Sequence, residues 1–180
     1  MMRKSTKKIK NSFLGELIRT IVPTAIITLL FLYLVGQLAV VNGNSMNDTL
    51  HNNDIVFMEK ITQRFSSLKR FDVIVFDSKL KNHQDYIKRI IGLPGETVRI
   101  DDNGNIYIND NLLEENYGKE TMMYNGIAAN GITLGENEYF VLGDNRNNSE
   151  DSRFEELGVI NYYQIKGKVC LSLIPFKKDI

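Results

Sequence analysis

Ser45 lies in Asn42-Gly43-Asn44-Ser45-Met46, between a long apolar run and a body rich in short strands. A serine hydroxyl is a poor nucleophile. It needs a base for its proton, a donor for the developing oxyanion and a group that orients the base. One candidate base is Lys88, in Gln84-Asp85-Tyr86-Ile87-Lys88-Arg89-Ile90-Ile91. In an extended strand Tyr86 and Ile90 share its face, while Ile87 and Arg89 point the other way. A lysine among apolar neighbours loses hydration, which disfavours its charged form and lets the neutral amine act as a general base near neutral pH. Strand lysines also snorkel their ammonium groups to water, and loop serines are mostly solvated. Taken alone, Ser45 and Lys88 favour these ordinary readings, because strand lysines and loop serines are common.

A third polar segment changes the balance. Gly143-Asp144-Asn145-Arg146-Asn147-Asn148-Ser149-Glu150-Asp151-Ser152-Arg153 is long and chemically unusual. It matches the G-D-N-R-x-x-S-x-D-S-R box of bacterial type I signal peptidases. Ser45-Met46-Asn47-Asp48-Thr49-Leu50 is similar to that family's S-M-x-P-T-L box. Tyr86-Ile87-Lys88-Arg89-Ile90-Ile91-Gly92-Leu93-Pro94-Gly95-Glu96 resembles its Y-x-K-R-x-x-G-L-P-G-[DE] box. The boxes occur in the family's order, and the resemblance spans roughly residues 15–175, in the short, one-anchor form typical of Gram-positive members.

The resemblance implies a role for each matching residue. Ser45 would attack the scissile carbonyl, and neutral Lys88 would take its proton and pass it to the leaving amine. Ser149 would hydrogen-bond the lysine amine and orient it. The backbone N–H of Ser45 would hold the oxyanion. Some relatives add a serine two residues before the nucleophile, where this chain has Gly43. Gly143, Asp144, Asp151 and Arg153 match a family cluster that braces the site. Substrate would add as an extended strand, with Val41, Met46, Leu50, Tyr86 and Ile87 as candidate walls of shallow pockets that select Ala-x-Ala. For Leu50, ordinary core packing is an equal reading. The implied partners are signal peptides of preproteins and membrane lipid, with no cofactor, metal or nucleic acid.

Two departures from the family pattern concern single residues. Asp48 stands where proline is usual, so the turn after Ser45 loses a fixed φ, and Asp48 is expected to point to solvent. Phe71 stands where an R-G-D-[IV]-V segment usually has glycine. The interval from Arg153 to Gly158 is also slightly longer than common.

The rest of the chain must position these groups. Residues 1–41 hold six basic residues (Arg3, Lys4, Lys7, Lys8, Lys10, Arg19) against one acid, Glu16. The remainder holds 16 basic and 21 acidic residues. A basic tail on a mildly acidic body suits a membrane-associated tail better than nucleic-acid binding by the body. Ile21 to Val41 contains no charged residue, and a spanning helix needs about 20 mostly apolar residues. Pro23 sits near its start, where a helix tolerates it. The run is longer than a secretory h-region and no Ala-x-Ala site follows it, so it is expected to remain as an anchor. The positive flank places the N-terminus in the cytoplasm and the body outside the cell membrane.

The expected division is a basic cytoplasmic tail at 1–16, a single-pass transmembrane anchor at 17–40 and an extracytoplasmic catalytic domain at 41–180. The helix is expected to fade before Val40, with Ala39-Val40-Val41 opening a strand. Strands are expected at 54–58, 71–76, 84–91, 98–100, 106–108, 138–142 and 167–173, with Asp101 to Asn105 as a hairpin turn. Residues 63–70 read as a loop, and 111–137 as a loop or small cap. The fold class is mostly β: a coiled or closed antiparallel sheet behind one transmembrane helix. One cysteine, Cys170, excludes an internal disulfide and a thiolate metal cluster. His51 and His83 are too few for a histidine-rich metal site and read as solvated loop residues.

Two other readings compete. Self-cleaving repressor-type Ser-Lys proteases share a related fold, but carry a DNA-binding domain where this chain has its apolar run. Non-catalytic homologues that assist surface-fibre assembly lose the serine or the lysine, and this chain keeps both.

Overall fold

The structure is a computed structural model and describes residues 3–61, 67–80, 84–118, 120–178 and 180. Part of the loop expected at 63–70, and His83, lie outside the described residues. The chain forms two compact units, residues 1–36 and 37–180.

The first unit is a helix, α1 (Arg3–Val35). It runs through the basic segment expected as a separate tail, so the boundary set at residue 17 is not an element boundary. Gly15–Val35 has a mean hydropathy of 2.0 and is long and apolar enough to cross a membrane. Its large side chains are exposed around the helix, from Leu17 and Ile18 to Phe31 and Tyr33. A helix apolar on all faces belongs in a core or a bilayer, and among the described residues none of this apolar window is buried in the protein. Pro23 lies inside it, with Thr20 and Thr24 donating their hydroxyls back to the carbonyls of Glu16 and Thr20 at 3.0 and 2.8 Å. The helix ends at Val35, before Val40 as expected, and the strand opens three residues earlier than the expected Ala39. Gly36 is a poor helix former, and β1 (Gly36–Val40) begins there.

The second unit is built on β2 (Ile55–Glu59), β3 (Val73–Asp77), β4 (Asp85–Gly92), β5 (Thr97–Ile100), β6 (Ile106–Ile108), β7 (Asn111–Leu112), β8 (Ile132–Thr133), β9 (Glu138–Leu142), β10 (Ile160–Asn161), β11 (Ile165–Ile174) and β12 (Phe176–Lys177). The larger sheet has the order β1-β2-β11-β3-β4-β9-β10, with β12 on β11. The smaller has the order β7-β6-β5-β8. The mostly β, antiparallel class matches the expectation. The 111–137 segment differs from a plain loop. Its pieces β7 and β8 form both edges of the smaller sheet, and two-residue strands leave too little alternation to read from sequence.

Three apolar clusters hold the body together. Ile91, Val98, Ile100, Ile106, Phe140 and Leu142 join the two sheets. Ile74, Phe76, Ile90, Val141, Ile160 and Ile165 fill a second cluster. Val41, Met46, Leu50, Val56, Met58 and Val73 fill the third. The alternation in β4 decides the site. Ile90 and the half-buried Tyr86 go to the second cluster and Ile87 packs on the third, so Lys88 is carried on the Tyr86–Ile90 face. The β4–β9 register begins at Arg89, opposite Leu142. Among the described residues, Asp85 to Lys88 therefore pair only with β3, and one edge of that half-strand stays open.

Candidate active site

The turn that presents Ser45 is pinned from within. The Asn47 N–H donates to the Asn44 carbonyl at 3.2 Å, and the Leu50 N–H to the Met46 carbonyl at 2.8 Å. Met46 and Leu50, 2% and 0% exposed, plug the two ends of the turn into the third cluster. Asn145 fixes it from outside. Its backbone N–H donates to the Ser45 carbonyl and its side-chain amide to the Asn44 carbonyl, both at 3.0 Å.

Lys88 is 3% exposed. Its Nζ lies 2.8 Å from Ser45 Oγ and 3.2 Å from the Ile87 carbonyl oxygen, in hydrogen-bond geometry to both. The Tyr86 ring stands 5.1 Å from Nζ. Burial pulls the lysine pKa down from 10.5 to about 8, against the opposing pull of the Asp151, Glu150 and Asp144 carboxylates. The amine is thus poised to shed its proton in the range where a general base works best.

Two buried ion pairs brace this centre. Arg89 grips Asp144 through Nε to Oδ1 at 2.9 Å and Nη2 to Oδ2 at 2.7 Å, with both side chains fully buried. Thr49 donates its hydroxyl to Asp144 Oδ2. Arg89 also donates to the Phe71 carbonyl at 2.8 Å, and its guanidinium stacks 3.7 Å from the centre of the Tyr117 ring. Arg153 pairs with Asp151 at 2.8 Å, and Asp151 accepts the Gly143 N–H at 3.1 Å. A side chain on residue 143 would overlap Ser149 Oγ and the Ser45 carbonyl, so only glycine lets the third segment close onto Ser45.

Ser149 packs beside Ser45 and Gly143, but its Oγ is buried without a hydrogen-bond partner among the described residues. The orienting bond to Lys88 implied by the resemblance is not formed. Val41, Met46, Tyr86 and Ile87 line a groove of about 630 Å³ together with Ser45 and Lys88. Leu50 does not line it; its full burial makes it core. Asp48 is exposed, as expected. Among the described residues no group of His, Cys, Asp and Glu is placed to hold a metal ion.

Several residues of the site were not singled out from the sequence. Arg89 had a visible signal, an arginine inside an apolar strand, because a buried guanidinium demands a carboxylate. Asn145 and Thr49 act through backbone carbonyls and a carboxylate far along the chain, which no spacing reveals. Glu150 accepts the Tyr86 hydroxyl at 2.7 Å and lines the groove. Burial and this carboxylate push the Tyr86 pKa up to about 12.

Comparison with known proteins places the chain in a family. The family model described as signal peptidase, peptidase S26 matches residues 14–174. A signal peptidase I of Bacillus licheniformis is 35% identical, covering 97% of this chain and 95% of its own. A signal peptidase I P of Bacillus subtilis subsp. natto is 36% identical, covering 98% and 96%. The crystal structure of a signal peptidase I from Enterococcus faecalis V583 is 36% identical with a TM-score of 0.48, covering 57% of this chain and 97% of that one. With a family model over most of its length and relatives above 30% identity along nearly all of it, this chain belongs to the bacterial type I signal peptidases of peptidase family S26.

Proposed function

We propose that the chain is a membrane-anchored endopeptidase that removes signal peptides from secreted preproteins, using Ser45 as nucleophile and Lys88 as general base, and cutting after Ala-x-Ala. The observation that carries this reading is the 2.8 Å approach of Lys88 Nζ to Ser45 Oγ at the wall of the groove.

The substrate lies extended in the groove and pairs with the open edge of residues 85–88. Val41, Met46, Tyr86 and Ile87 leave room for small side chains, which favours alanine at the first and third positions before the cut. Ser45 Oγ adds to the scissile carbonyl as Lys88 Nζ takes the hydroxyl proton. The Ser45 N–H donates to the oxyanion. As the C–N bond breaks, Lys88 hands the proton to the leaving amine and becomes neutral again. It then takes a proton from the water that attacks the Ser45 ester and returns it to Ser45 Oγ as the ester C–O bond breaks. Asp144, Arg89, Asp151 and Arg153 hold the backbone still and transfer no proton. Rotation of the Ser149 side chain toward Nζ supplies the orienting bond once substrate is bound.

The basic N-terminal segment stays in the cytoplasm, the apolar helix spans the cell membrane and the β body works outside. The test is cleavage of a preprotein by the full-length chain in detergent, with product N-termini read by mass spectrometry. Cuts directly after Ala-x-Ala are expected. A folded chain that cuts none of several preproteins, or cuts elsewhere, contradicts the reading.

A further inference from the structure

The charge of the groove does not follow from a preference for small apolar residues. Asp85 and Glu150 both line it, and Lys88 is the only basic residue that does so among the described residues. With Lys88 neutral, the groove is acidic. Asp85 is already paired with Lys166 at 2.5 Å. Glu150 is different: it accepts a hydrogen bond from the uncharged Tyr86 hydroxyl, 2.7 Å away. That bond ties β4 to the 143–153 segment beside the catalytic pair and fixes the direction of an exposed carboxylate. Glu150 also sits at an open position of the third box, so neither the family pattern nor the bracing network assigns it a role.

We infer that Glu150, oriented by Tyr86, is a specificity-determining residue that favours a lysine or arginine side chain, and disfavours an acidic one, at one substrate position close to the scissile bond. This rests on the peptidase reading above. The distance follows from a short chain of contacts. Lys88 Nζ is 5.1 Å from the Tyr86 ring centre and the hydroxyl is 2.7 Å from the carboxylate. With one phenol ring between them, Glu150 lies within about three residues of extended chain from the amine, at about 3.3 Å per residue. A cation there meets a partly solvated carboxylate, whereas an acidic side chain meets a like charge in a confined groove, so discrimination comes from both attraction and repulsion. Shallow pockets measure size at two positions, and the carboxylate adds a reading of charge at a third.

The experiment uses the full-length chain in detergent with peptides that contain Ala-x-Ala. Lysine, glutamine and glutamate are placed in turn at each position from three before to three after the cut, sparing the two alanines. The readout is the ratio of kcat/KM for the lysine and glutamate peptides, in the parent, Glu150→Gln and Tyr86→Phe. The parent is expected to show a ratio of about five to ten at one position, the scale of a partly exposed charge pair. Glu150→Gln should bring that ratio to within about twofold of one, with Tyr86→Phe between the two. The ratio should also shrink as salt rises. Cleavage with a ratio near one at every position, or a ratio unchanged in Glu150→Gln, overturns the inference while leaving the peptidase reading intact. No cleavage of any peptide by the folded parent overturns both.

Discussion

Lys88 sits where two pressures meet. Desolvation lowers its proton affinity, and three carboxylates, Asp151, Glu150 and Asp144, partly restore it. The balance puts the folded amine at about 8, against 10.5 for an ordinary lysine. Ser45→Ala and Lys88→Ala should each lower preprotein cleavage by at least about a thousandfold while leaving circular dichroism and melting cooperative, because nucleophile and base act as a unit. The shift also has a signature in stability. Between about 8 and 10.5 the unfolded chain binds more protons than the folded one, so this group makes stability rise with pH and loses its contribution as pH falls through 8. Denaturation of the parent and Lys88→Met should therefore show the parent gaining on the variant from pH 7 to 10. A gap that does not change with pH contradicts the buried, shifted amine. At this scale the sequence pointed to Ser45 and Lys88 through their motifs, and the structure sets Lys88 Nζ 2.8 Å from Ser45 Oγ. Leu50 was ambiguous because an apolar residue beside a nucleophile looks the same whether it lines a pocket or fills a core.

Phe71 shows how an element absorbs a departure from its family. Its φ is +73°, a region glycine enters freely and side chains with a Cβ do not. The ring is half-buried against the first cluster and lies 5.1 Å from the Tyr117 ring, which in turn stacks on Arg89. Aromatic packing thus offsets backbone strain over the buried Arg89–Asp144 pair. Phe71→Gly and Phe71→Ala both lose the ring, but only alanine keeps the strain. Chemical denaturation should find the glycine variant more stable by about 1 kcal/mol, the reverse of the usual order. Equal stabilities, or a more stable alanine variant, would show that the left-handed turn is not fixed there. Most strands of four or more residues were legible from β-branched and aromatic runs, as in β3 and β9. The two-residue β7 and β8 were not, because they exist only as edges supplied to the longer β6 and β5.

At the scale of the whole molecule, the chain joins one apolar helix to a β body that carries Ser45, Lys88 and the groove they line. The full-length chain should stay in the membrane pellet through an alkaline carbonate wash, and release into the supernatant would contradict a spanning anchor. The existence of a long apolar helix was plain from Ile21 to Val41, a charge-free run. Its end was not, because an apolar run does not say where helix gives way to strand, and Gly36 was the only local mark. The proposed mechanism needs a neutral Lys88 amine against the Ser45 hydroxyl, and the structure brings the two to 2.8 Å at the groove. The pH dependence of kcat/KM for an Ala-x-Ala preprotein examines that arrangement most directly, since it reports ionisations of the free enzyme. The rate should rise tenfold per pH unit on the acid side and level off around an apparent pKa of about 8. A profile that is flat between pH 6 and 9, or that keeps climbing toward 10.5, would contradict Lys88 as the neutral base that activates Ser45.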